Sequence, residues 1–321
     1  METLPLQLSN AIDRELASLP PDKLRDACFE LTQRYKQGQF IKNQLHRQAY
    51  LAARFPATYG ATRDVLRRIE PLLRPLTSVL DLGAGMGGLA WAAVEAMPKL
   101  QRITLFERDV EMLRMGQHLT QNQLDPLEIA WCRDDITLAT SFPAHEVVML
   151  SYVLNELSLK EQIQVINRAY ETTEQILILI EPGTPKGYSN ILRARTLLID
   201  HGAHIMAPCP HIAPCPLAPA FKEGNDWCHF RVRIPRGKYH RRAKEGVLPY
   251  EDEKYSYLVV SPHEQFRSED RIIKAPIMKT GHVILDLCTK SGQEERRIVA
   301  KSEGDIYSQA RACGWGDEWK G

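Results

Sequence analysis

Between residues 78 and 183 the sequence alternates between short apolar segments and longer amphipathic ones. The apolar segments predict five strands, SVLDLG, RITLFE, LEIAWCRDD, EVVMLSYVL and QILILIEPG. Three of the amphipathic segments predict helices, GLAWAAVEAM, DVEMLRMGQHLTQN and SLKEQIQVINRAYE. Apolar strands that alternate with helices are typical of a parallel sheet with helices on both faces. The region therefore predicts an α/β fold with a Rossmann-like sheet.

The segments on either side of this region follow other patterns. Residues 1–70 predict an N-terminal helical segment, because Leu24, Cys28 and Leu31 recur at helical spacing. After residue 183 come a further helix, a cysteine-rich stretch, a basic run and two strand-like segments, YSYLVVS and HVILDLC, which we expect to complete the sheet. We therefore divide the chain into a helical segment 1–70, a Rossmann-like core 71–204, a cysteine-rich and basic insertion 205–250, and C-terminal strands with a tail 251–321.

Composition limits the class of protein. With 321 residues, 44% hydrophobic residues and 25% charged residues, the chain lies in the range of soluble globular proteins. The formal net charge of +1 indicates no partner by itself. No apolar run approaches the roughly 20 residues of a membrane span, so we expect no membrane partner. The N-terminal METLPLQLSNAIDREL resembles neither a secretory signal nor an Arg-rich transit peptide, which predicts a cytoplasmic, bacterial protein over a mitochondrial one.

A glycine-rich turn joins the first strand to its helix. Gly83, Gly85 and Gly87 allow a tight turn and let a ligand lie against the backbone at a helix N-terminus. Together with Asp81 they form the pattern Asp-x-Gly-x-Gly-x-Gly, which resembles the first motif of class I S-adenosylmethionine-dependent methyltransferases. A nicotinamide or flavin nucleotide is an alternative, although its loop usually places the third glycine one residue later, where Gly88 stands. A glycine turn without a ligand is a third reading.

Acidic and hydroxyl side chains follow the next strands. Glu107 ends the second strand, where an acid can accept hydrogen bonds from ribose hydroxyls. Asp134 and Asp135 end the third strand, where methyltransferases of this class place an acid on the adenine amino group, and Ile136 favours Asp135 for that role. Ser151 follows the fourth strand and opens SYVLNEL, which lacks the Asn/Asp-Pro-Pro-Tyr/Phe motif of exocyclic-amine methyltransferases. No catalytic residue is identified.

Cysteines are concentrated after the fifth strand. Cys209, Cys215 and Cys228 lie in APCPHIAPCPLAPAFKEGNDWCHF, and Cys288 ends HVILDLC. Thiolates suit zinc or an iron–sulfur cluster, and the neighbouring prolines stiffen the loop. A reducing compartment disfavours disulfides. The position after the fifth strand argues against the Pro-Cys nucleophile of 5-methylcytosine enzymes, and the cysteine triad of radical enzymes is missing. His211 and His229 leave a zinc site of mixed ligands open.

A basic run follows Cys228 and contains no acid before residue 245. Its cations are Arg231, Arg233, Arg236, Lys238, Arg241, Arg242 and Lys244. Such a run is typical of a surface that binds a phosphate backbone. Pro235 and Gly237 predict a loop or ribbon, which favours RNA over DNA because loops and single strands are the usual targets in RNA. The alternative is a solvated loop whose charge is balanced by YEDEK at 250–254.

Several segments together resemble one family. They are AYLAARFPATYGATRDVL, SVLDLGAGMGGLAWAA, APCPH…PCPL, DWCHF, HRRAKEGVLPYEDEKYSYLVVS and LDLCT. The resemblance, over roughly residues 20–300, is to the methyltransferase-like assembly factors of the small ribosomal subunit, known in mitochondria, and their bacterial relatives. It implies binding to small-subunit ribosomal RNA and a [4Fe–4S] cluster held by Cys209, Cys215, Cys228 and Cys288.

Two function hypotheses follow from the residues and the resemblance. The first is an S-adenosylmethionine-binding, iron–sulfur-containing methyltransferase or methyltransferase-like factor that acts on small-subunit ribosomal RNA. The second is a non-catalytic RNA-binding assembly factor that uses cofactor and metal structurally, with zinc as the alternative metal. A small-molecule methyltransferase is more distant, because the basic run indicates a polyanion. DNA is not expected as a partner.

Overall fold

A computed structural model describes residues 1–121, 123–224, 226–244, 248–264 and 268–321, with the side chain of Lys244 excepted. The helices of the described residues run Leu6–Leu16 (α1), Pro21–Lys36 (α2), Gln44–Ala49 (α3), Phe55–Arg68 (α4), Glu70–Leu73 (α5), Gly88–Ala96 (α6), Val110–Thr120 (α7), Leu159–Thr172 (α8), Pro185–Asp200 (α9), Ala218–Lys222 (α10), Lys238–Lys244 (α11) and Asp305–Ala312 (α12). A π-helical segment, Tyr50–Arg54, joins α3 to α4.

The central sheet has the strand order β3-β2-β1-β4-β5-β8-β6, and β7 pairs with β8. Its strands are Ser78–Leu82 (β1), Arg102–Phe106 (β2), Glu128–Cys132 (β3), His145–Ser151 (β4), Thr173–Pro182 (β5), His204–Ala207 (β6), Phe230–Pro235 (β7) and Tyr250–Ser261 (β8). The first five strands run parallel, whereas β8 is antiparallel to β5, β6 and β7. The predicted α/β fold with a Rossmann-like sheet is therefore confirmed.

Neighbouring residues of each central strand point into two different cores. Val79 packs in a cluster with Phe55 and Trp91 from α4 and α6. Leu80, the next residue, packs in a second cluster with Ile166 and Leu198 from α8 and α9. This explains why the strands are apolar throughout, since both faces of a sheet covered by helices exclude water. The N-terminal helical segment predicted for residues 1–70 is thus part of one helical layer.

The two C-terminal strand-like segments form strands in two different sheets. YSYLVVS lies in β8 of the central sheet, as expected. HVILDLC does not join that sheet, because His204–Ala207 already pairs along the outer edge of β8. It forms the middle of a second sheet, with strands Asp270–Ile272 (β9), Ile277–Lys279 (β10), His282–Cys288 (β11), Glu294–Ala300 (β12) and Glu318–Trp319 (β13). The four-residue β6 is too short to give a strand pattern in the sequence.

Candidate cofactor and metal sites

The glycine turn has the backbone that the sequence pattern requires. Gly83, Gly85 and Gly87 have φ of 85°, 56° and 75°, in the left-handed region that glycine adopts without strain. A Cβ on Gly83 would lie 2.5 Å from Cγ2 of Val153, so only glycine fits there. The amide nitrogens of Gly83 and Ala84 donate to the carbonyl of Phe106, each at 2.9 Å, which ties the turn to the end of β2.

Two carboxyl groups stand at this turn. Glu107 accepts hydrogen bonds from the Gly85 amide at 2.8 Å and from the Asp109 amide at 2.7 Å, while burial raises its pKa. Asp81 is 3% exposed, and burial together with the nearby Glu107 raises its pKa to about 8. Asp81 is therefore largely uncharged at neutral pH, and Glu107 is held in place by the backbone of the turn.

A cavity of about 1300 Å³ opens above the carboxyl ends of the parallel strands. The candidate residues that line it are Gly83, Gly85, Glu107, Asp134, Asp135 and Ser151. Asp81 and Gly87 are not among the lining residues; they support the turn. The opposite wall comes from α2 and the π-helical segment, with Tyr35, Tyr50 and Arg54. The structure thus brings six of the eight predicted cofactor residues to one cavity and adds a wall from the N-terminal helices.

The two aspartates after β3 differ in their surroundings. Asp135 accepts hydrogen bonds from the amide and hydroxyl of Thr137, at 2.9 and 2.7 Å, and Arg108 lies 3.5 Å away. Burial alone would raise the pKa of Asp135, but Thr137 and Arg108 lower it, so this carboxylate is charged. Asp134 is exposed and uses one oxygen to accept from the Asp135 amide at 2.8 Å. Ser151 lies 3.3 Å from the hydroxyl of Thr62 on α4.

The segment after β4 is held by buried polar groups. Tyr152 has φ of 62°, which is unusual for a residue with a side chain, and its hydroxyl donates to Glu253 at 3.1 Å. Glu253 also pairs with Arg54 at 3.4 Å. Sequence reasoning missed this pair, because 199 positions separate its members. Glu253 is buried on β8, but its neighbours Glu251, Asp252 and Lys254 are also charged, so no alternation in the sequence marks it as facing inward.

Two acids near this segment have raised pKa values. Burial raises the pKa of Glu156 to about 7, although Arg108 opposes the shift. Burial likewise raises the pKa of Glu181 to about 8. Glu181 accepts from the Leu154 amide at 2.9 Å and from Asn190 at 3.0 Å, and Asn190 also donates to Asn155 at 3.1 Å. This network fixes the turn that presents Asn155 and Glu156 to the cavity.

The four predicted ligand cysteines meet at a second, apolar cavity of about 30 Å³. Its lining includes Cys209, Cys215, Cys228 and Cys288, together with Tyr188, Leu217, Phe230 and Ile273. Cys288 arrives from the second sheet, whereas the other three lie between β6 and β7. All seven cysteines of the chain are free thiols. Within the described ranges, no group of three or more His, Cys, Asp and Glu side chains is arranged to hold a metal ion.

Hydrogen bonds and burial define the state of these thiols. Burial raises the pKa of Cys209, Cys228 and Cys288, and neighbouring thiols raise it further. The hydroxyl of Tyr188 lies 3.2 Å from Sγ of Cys215, and Nε2 of His211 lies 3.2 Å from Sγ of Cys288. The raised pKa values favour the neutral thiols of Cys209, Cys228 and Cys288, so a bound cationic group would have to offset the cost of their deprotonation.

The basic run is divided between a strand and a helix. Arg231 and Arg233 face outward from β7. The predicted loop or ribbon is correct for this strand and wrong for residues 238–244, which form α11. This helix forms because Tyr239 and Ala243 bury an apolar stripe against α2 and the π-helical segment. The exposed cations of α11 are Lys238, Arg241 and Arg242. The backbone of Lys244 ends α11, and its side chain lies outside the described residues.

The alternative prediction, that acids of YEDEK balance the charge of the basic run, is correct for part of the run. The YEDEK segment lies in β8 and meets the strand cations directly. Asp252 lies 2.7 Å from Arg233 and 3.8 Å from Arg231, and Glu251 lies 3.3 Å from Arg236. The acids therefore balance some charge on β7. His229 takes no part in the cysteine cavity; its ring packs between Trp227 and Trp315.

The parallel strand order, the antiparallel β8 between β5 and β6, and the glycine turn beside Glu107 define the class I methyltransferase fold. The family model described as mitochondrial small ribosomal subunit Rsm22 matches residues 44–320. The chain therefore belongs to the Rsm22 family, which confirms the resemblance to methyltransferase-like ribosome assembly factors.

Individual relatives agree with this assignment. The human mitochondrial ribosome assembly protein METTL17 is 26% identical over 295 residues, covering 84% of this chain and 61% of the relative. Rsm22-cox11 tandem protein 2, mitochondrial, of Schizosaccharomyces pombe is 26% identical over 328 residues, covering 84% of this chain and 42% of the relative. The chain thus spans roughly half the length of these relatives.

Solved structures resemble the chain more distantly. A putative RNA methyltransferase from Pyrococcus horikoshii is 15% identical with a TM-score of 0.42, covering 63% of this chain and 83% of that one. Magnesium protoporphyrin IX methyltransferase from Synechocystis, with bound S-adenosylmethionine, is 14% identical with a TM-score of 0.43, covering 80% and 98%.

One sequence prediction is contradicted by the relatives. The matched human and yeast proteins are all named as mitochondrial, so the prediction of a bacterial, cytoplasmic protein is wrong. It depended on the composition of the first residues, which lie outside the part that the family model matches. Among the described residues, the helices are too short or too polar to span a membrane.

Proposed function

We propose that the chain is an S-adenosylmethionine-binding, methyltransferase-like protein that assembles with the small ribosomal subunit and binds its RNA. The observation that carries the proposal is the position of Glu107 at a glycine turn that opens into a large cavity. Gly83 and Gly85 would lie against the cofactor, and Glu107 would accept from its ribose hydroxyls. Asp134 or Asp135 would accept from the adenine amino group, and Ser151 would lie near the reacting end.

The proposed cofactor supplies an activated methyl group on a sulfonium centre. The chain would contribute alignment of an acceptor and removal of a proton where the acceptor needs it. Glu156 lines the cavity at the segment where related folds read their substrate, and its pKa near 7 suits a proton acceptor at neutral pH. The tyrosine wall from α2 and the π-helical segment would shield the acceptor from water.

A second proposal concerns the four cysteines. We infer that Cys209, Cys215, Cys228 and Cys288 hold a [4Fe–4S] cluster, with zinc as the alternative. The donor set supports this inference, because three thiols from the loop before β7 and one from β11 line one apolar cavity, although the described side chains are not arranged as a ready metal site. A cluster would join the loop before β7 to the end of β11. Iron and acid-labile sulfide analysis after anaerobic purification tests it: about four of each per chain supports the cluster, and stoichiometric zinc without iron rules it out.

The basic residues complete the proposal. Arg231, Arg233, Arg236, Lys238, Arg241, Arg242 and Lys244 would meet the phosphates of small-subunit ribosomal RNA. Exposure of the cations on α11 supports this role, whereas Asp252 weakens the positive field of β7. A salt series with RNA checks it, because each phosphate contact adds to the salt dependence of binding.

Methyl transfer and a non-catalytic role make different predictions. The human and Saccharomyces cerevisiae relatives are named ribosome assembly proteins, which favours the non-catalytic candidate. Incubation with methyl-tritiated cofactor and immature small subunits separates the two. Label in the RNA that is lost in Gly85→Arg supports transfer. Cofactor binding by calorimetry without label supports an assembly factor, and absence of cofactor binding by the folded protein contradicts both.

A further inference from the structure

Aromatic rings from the segment before β7, from β8 and from the C-terminal tail lie beside the outward-facing arginines of β7. The ring of Trp227 lies 5.5 Å from that of His229, and His229 lies 5.0 Å from Trp315, which comes from the C-terminal tail. The guanidinium of Arg231 lies 5.5 Å from the Trp315 ring. Continuing along the strand, Arg233 lies 3.9 Å from the ring of Tyr250 on β8. We call these six residues, Trp227, His229, Trp315, Arg231, Arg233 and Tyr250, the ring–cation row.

Hydrogen bonds hold the ring–cation row in place. The indole nitrogen of Trp227 donates to the carbonyl of Gly183 at 3.1 Å, which anchors the ring to the end of β5. The carbonyl of Trp315 accepts from Arg68 at 3.2 Å. Nε and Nη2 of Arg233 donate to the two carboxylate oxygens of Asp252, at 2.7 and 2.9 Å. The four rings are partly exposed. A surface fixed in advance loses little conformational entropy when a partner binds.

The charge around the row is positive in spite of Asp252. The side chains of Arg231 and Arg233 are 46% and 43% exposed. Lys254 is exposed and lies opposite Arg231 across the β7–β8 pair. A few residues beyond β7, the chain enters α11 with its further exposed cations. Rings interleaved with cations match a polymer that offers both flat faces and negative charge, which is the chemistry of a single-stranded nucleic acid.

We propose that the ring–cation row is a stacking platform for unpaired bases of an RNA strand whose phosphates contact Arg231, Lys254 and α11. The inference rests on the RNA binding proposed above and specifies which part of the RNA is recognised and where. A duplex hides the faces of its bases, so only an unpaired strand can use the rings. Stacking is tolerant of base identity, and we therefore expect selection for single strands with little selection for sequence.

Three RNA probes separate stacking from charge: a labelled oligouridine, an abasic strand of equal length, and a duplex of the same length. The holoprotein is titrated with each while anisotropy is followed. Wild type is expected to bind oligouridine about tenfold more tightly than the abasic strand. Trp315→Leu and Tyr250→Leu, which keep apolar bulk, are expected to weaken oligouridine binding about five- to tenfold and to leave abasic binding unchanged.

Control variants distinguish the loss of a stacking ring from a general loss of folded protein. Tyr307 on α12 also has a guanidinium near its ring, that of Arg311 at 5.8 Å, but it lies outside the row. Tyr307→Leu is expected to bind all three probes like wild type. Trp315→Phe keeps a ring and removes an emitter, so it should retain affinity while quenching of tryptophan emission by oligouridine decreases.

Two results overturn the platform. One is unchanged oligouridine affinity in both Trp315→Leu and Tyr250→Leu; the other is equal loss of oligouridine and abasic binding. If Arg241→Ala with Arg242→Ala weakens binding of both strands while the row variants weaken neither, the proposed RNA binding stands and the platform fails. If wild type binds none of the probes, the proposed RNA binding itself fails.

Discussion

Single residues at the ends of the strands carry the strongest constraints on the large cavity at the glycine turn. Gly83 has a positive φ and no room for a side chain, whereas Gly202, after α9, has φ of 82° with no atom within 4 Å of the place where a Cβ would lie. Glu181 is fully buried beneath the segment that presents Asn155 and Glu156. These residues allow the backbone and the electrostatic contributions to be tested separately.

Gly83→Ala is expected to destabilise the fold more than Gly202→Ala. Both changes place a side chain at positive φ, which costs about 1–2 kcal/mol. Only Gly83→Ala also forces a methyl group against Val153, at 2.5 Å before relaxation, which adds about 1–3 kcal/mol. Urea denaturation of the two variants measures the difference. Equal losses in the free energy of unfolding would show that the turn relaxes freely.

Glu181→Gln is expected to change how stability depends on pH. The pKa of Glu181 is raised from 4.5 to about 8 in the folded state, so the native protein binds the proton more tightly than the unfolded chain. The contribution of this group is therefore most favourable below pH 4.5 and declines as the pH rises to about 8. Wild type should lose on the order of 4 kcal/mol across this window through Glu181, and the glutamine variant should not.

Unfolding experiments at several pH values between 4.5 and 8 measure this slope. Glu174→Gln, at the exposed start of the same strand, is the matched control and should keep the wild-type slope. A Glu181→Gln profile parallel to that of wild type contradicts the assignment of the proton to Glu181.

At the scale of elements, the loop between β6 and β7 depends on a strand from the other sheet. Cys288 ends β11 and lies with Leu217 and Ile273 in one small cluster, against which Cys215 and Cys228 pack. The second sheet is therefore joined to the central sheet at the cysteine cavity. If a cluster is present, the contact between the two sheets is a bond and not only packing.

Cys288→Ser is expected to lose most of the iron and to lower Tm by several degrees, because a structural metal contributes its binding energy to folding. Cys313→Ser is the matched control, since Cys313 is partly buried against the core of the second sheet and does not line the cysteine cavity. Iron analysis and thermal unfolding of anaerobic samples measure both effects. Full iron content in Cys288→Ser would remove Cys288 from the proposed ligand set.

At the scale of the whole molecule, the N-terminal helices form part of the large cavity at the glycine turn. α2 contributes Thr32 and Tyr35 to the wall opposite the glycine turn, and α11 packs against α2. The first 54 residues, the parallel sheet and the basic insertion therefore share one packed unit. We therefore expect cofactor binding to lower the rate of local opening across that unit.

Excess S-adenosylhomocysteine is expected to slow amide hydrogen exchange in α2 and the π-helical segment, because a ligand that contacts both walls opposes local opening. Amides of α12, which packs in the second sheet, should exchange at an unchanged rate. Hydrogen exchange followed by mass spectrometry measures both regions. Protection confined to the glycine turn would show that α2 does not contact the ligand.

The sequence alone predicted the parallel sheet, the glycine turn and the family, because these features depend on local patterns. An apolar strand, a helical spacing, and the motif of Asp81 with its glycines each depend on residues that are close together in the chain. The basic run was also visible, although the helix at 238–244 was not, since its apolar stripe is only Tyr239 and Ala243.

Tertiary structure decided what depends on residues far apart in the chain. HVILDLC was correctly predicted as a strand, but its sheet was decided by β6, which occupies the edge of β8. The pair of Arg54 with Glu253 and the row that unites Trp315 with β7 leave no local pattern. Strand formation is governed by a segment's own side chains, whereas pairing and burial depend on which surfaces meet after the chain has folded.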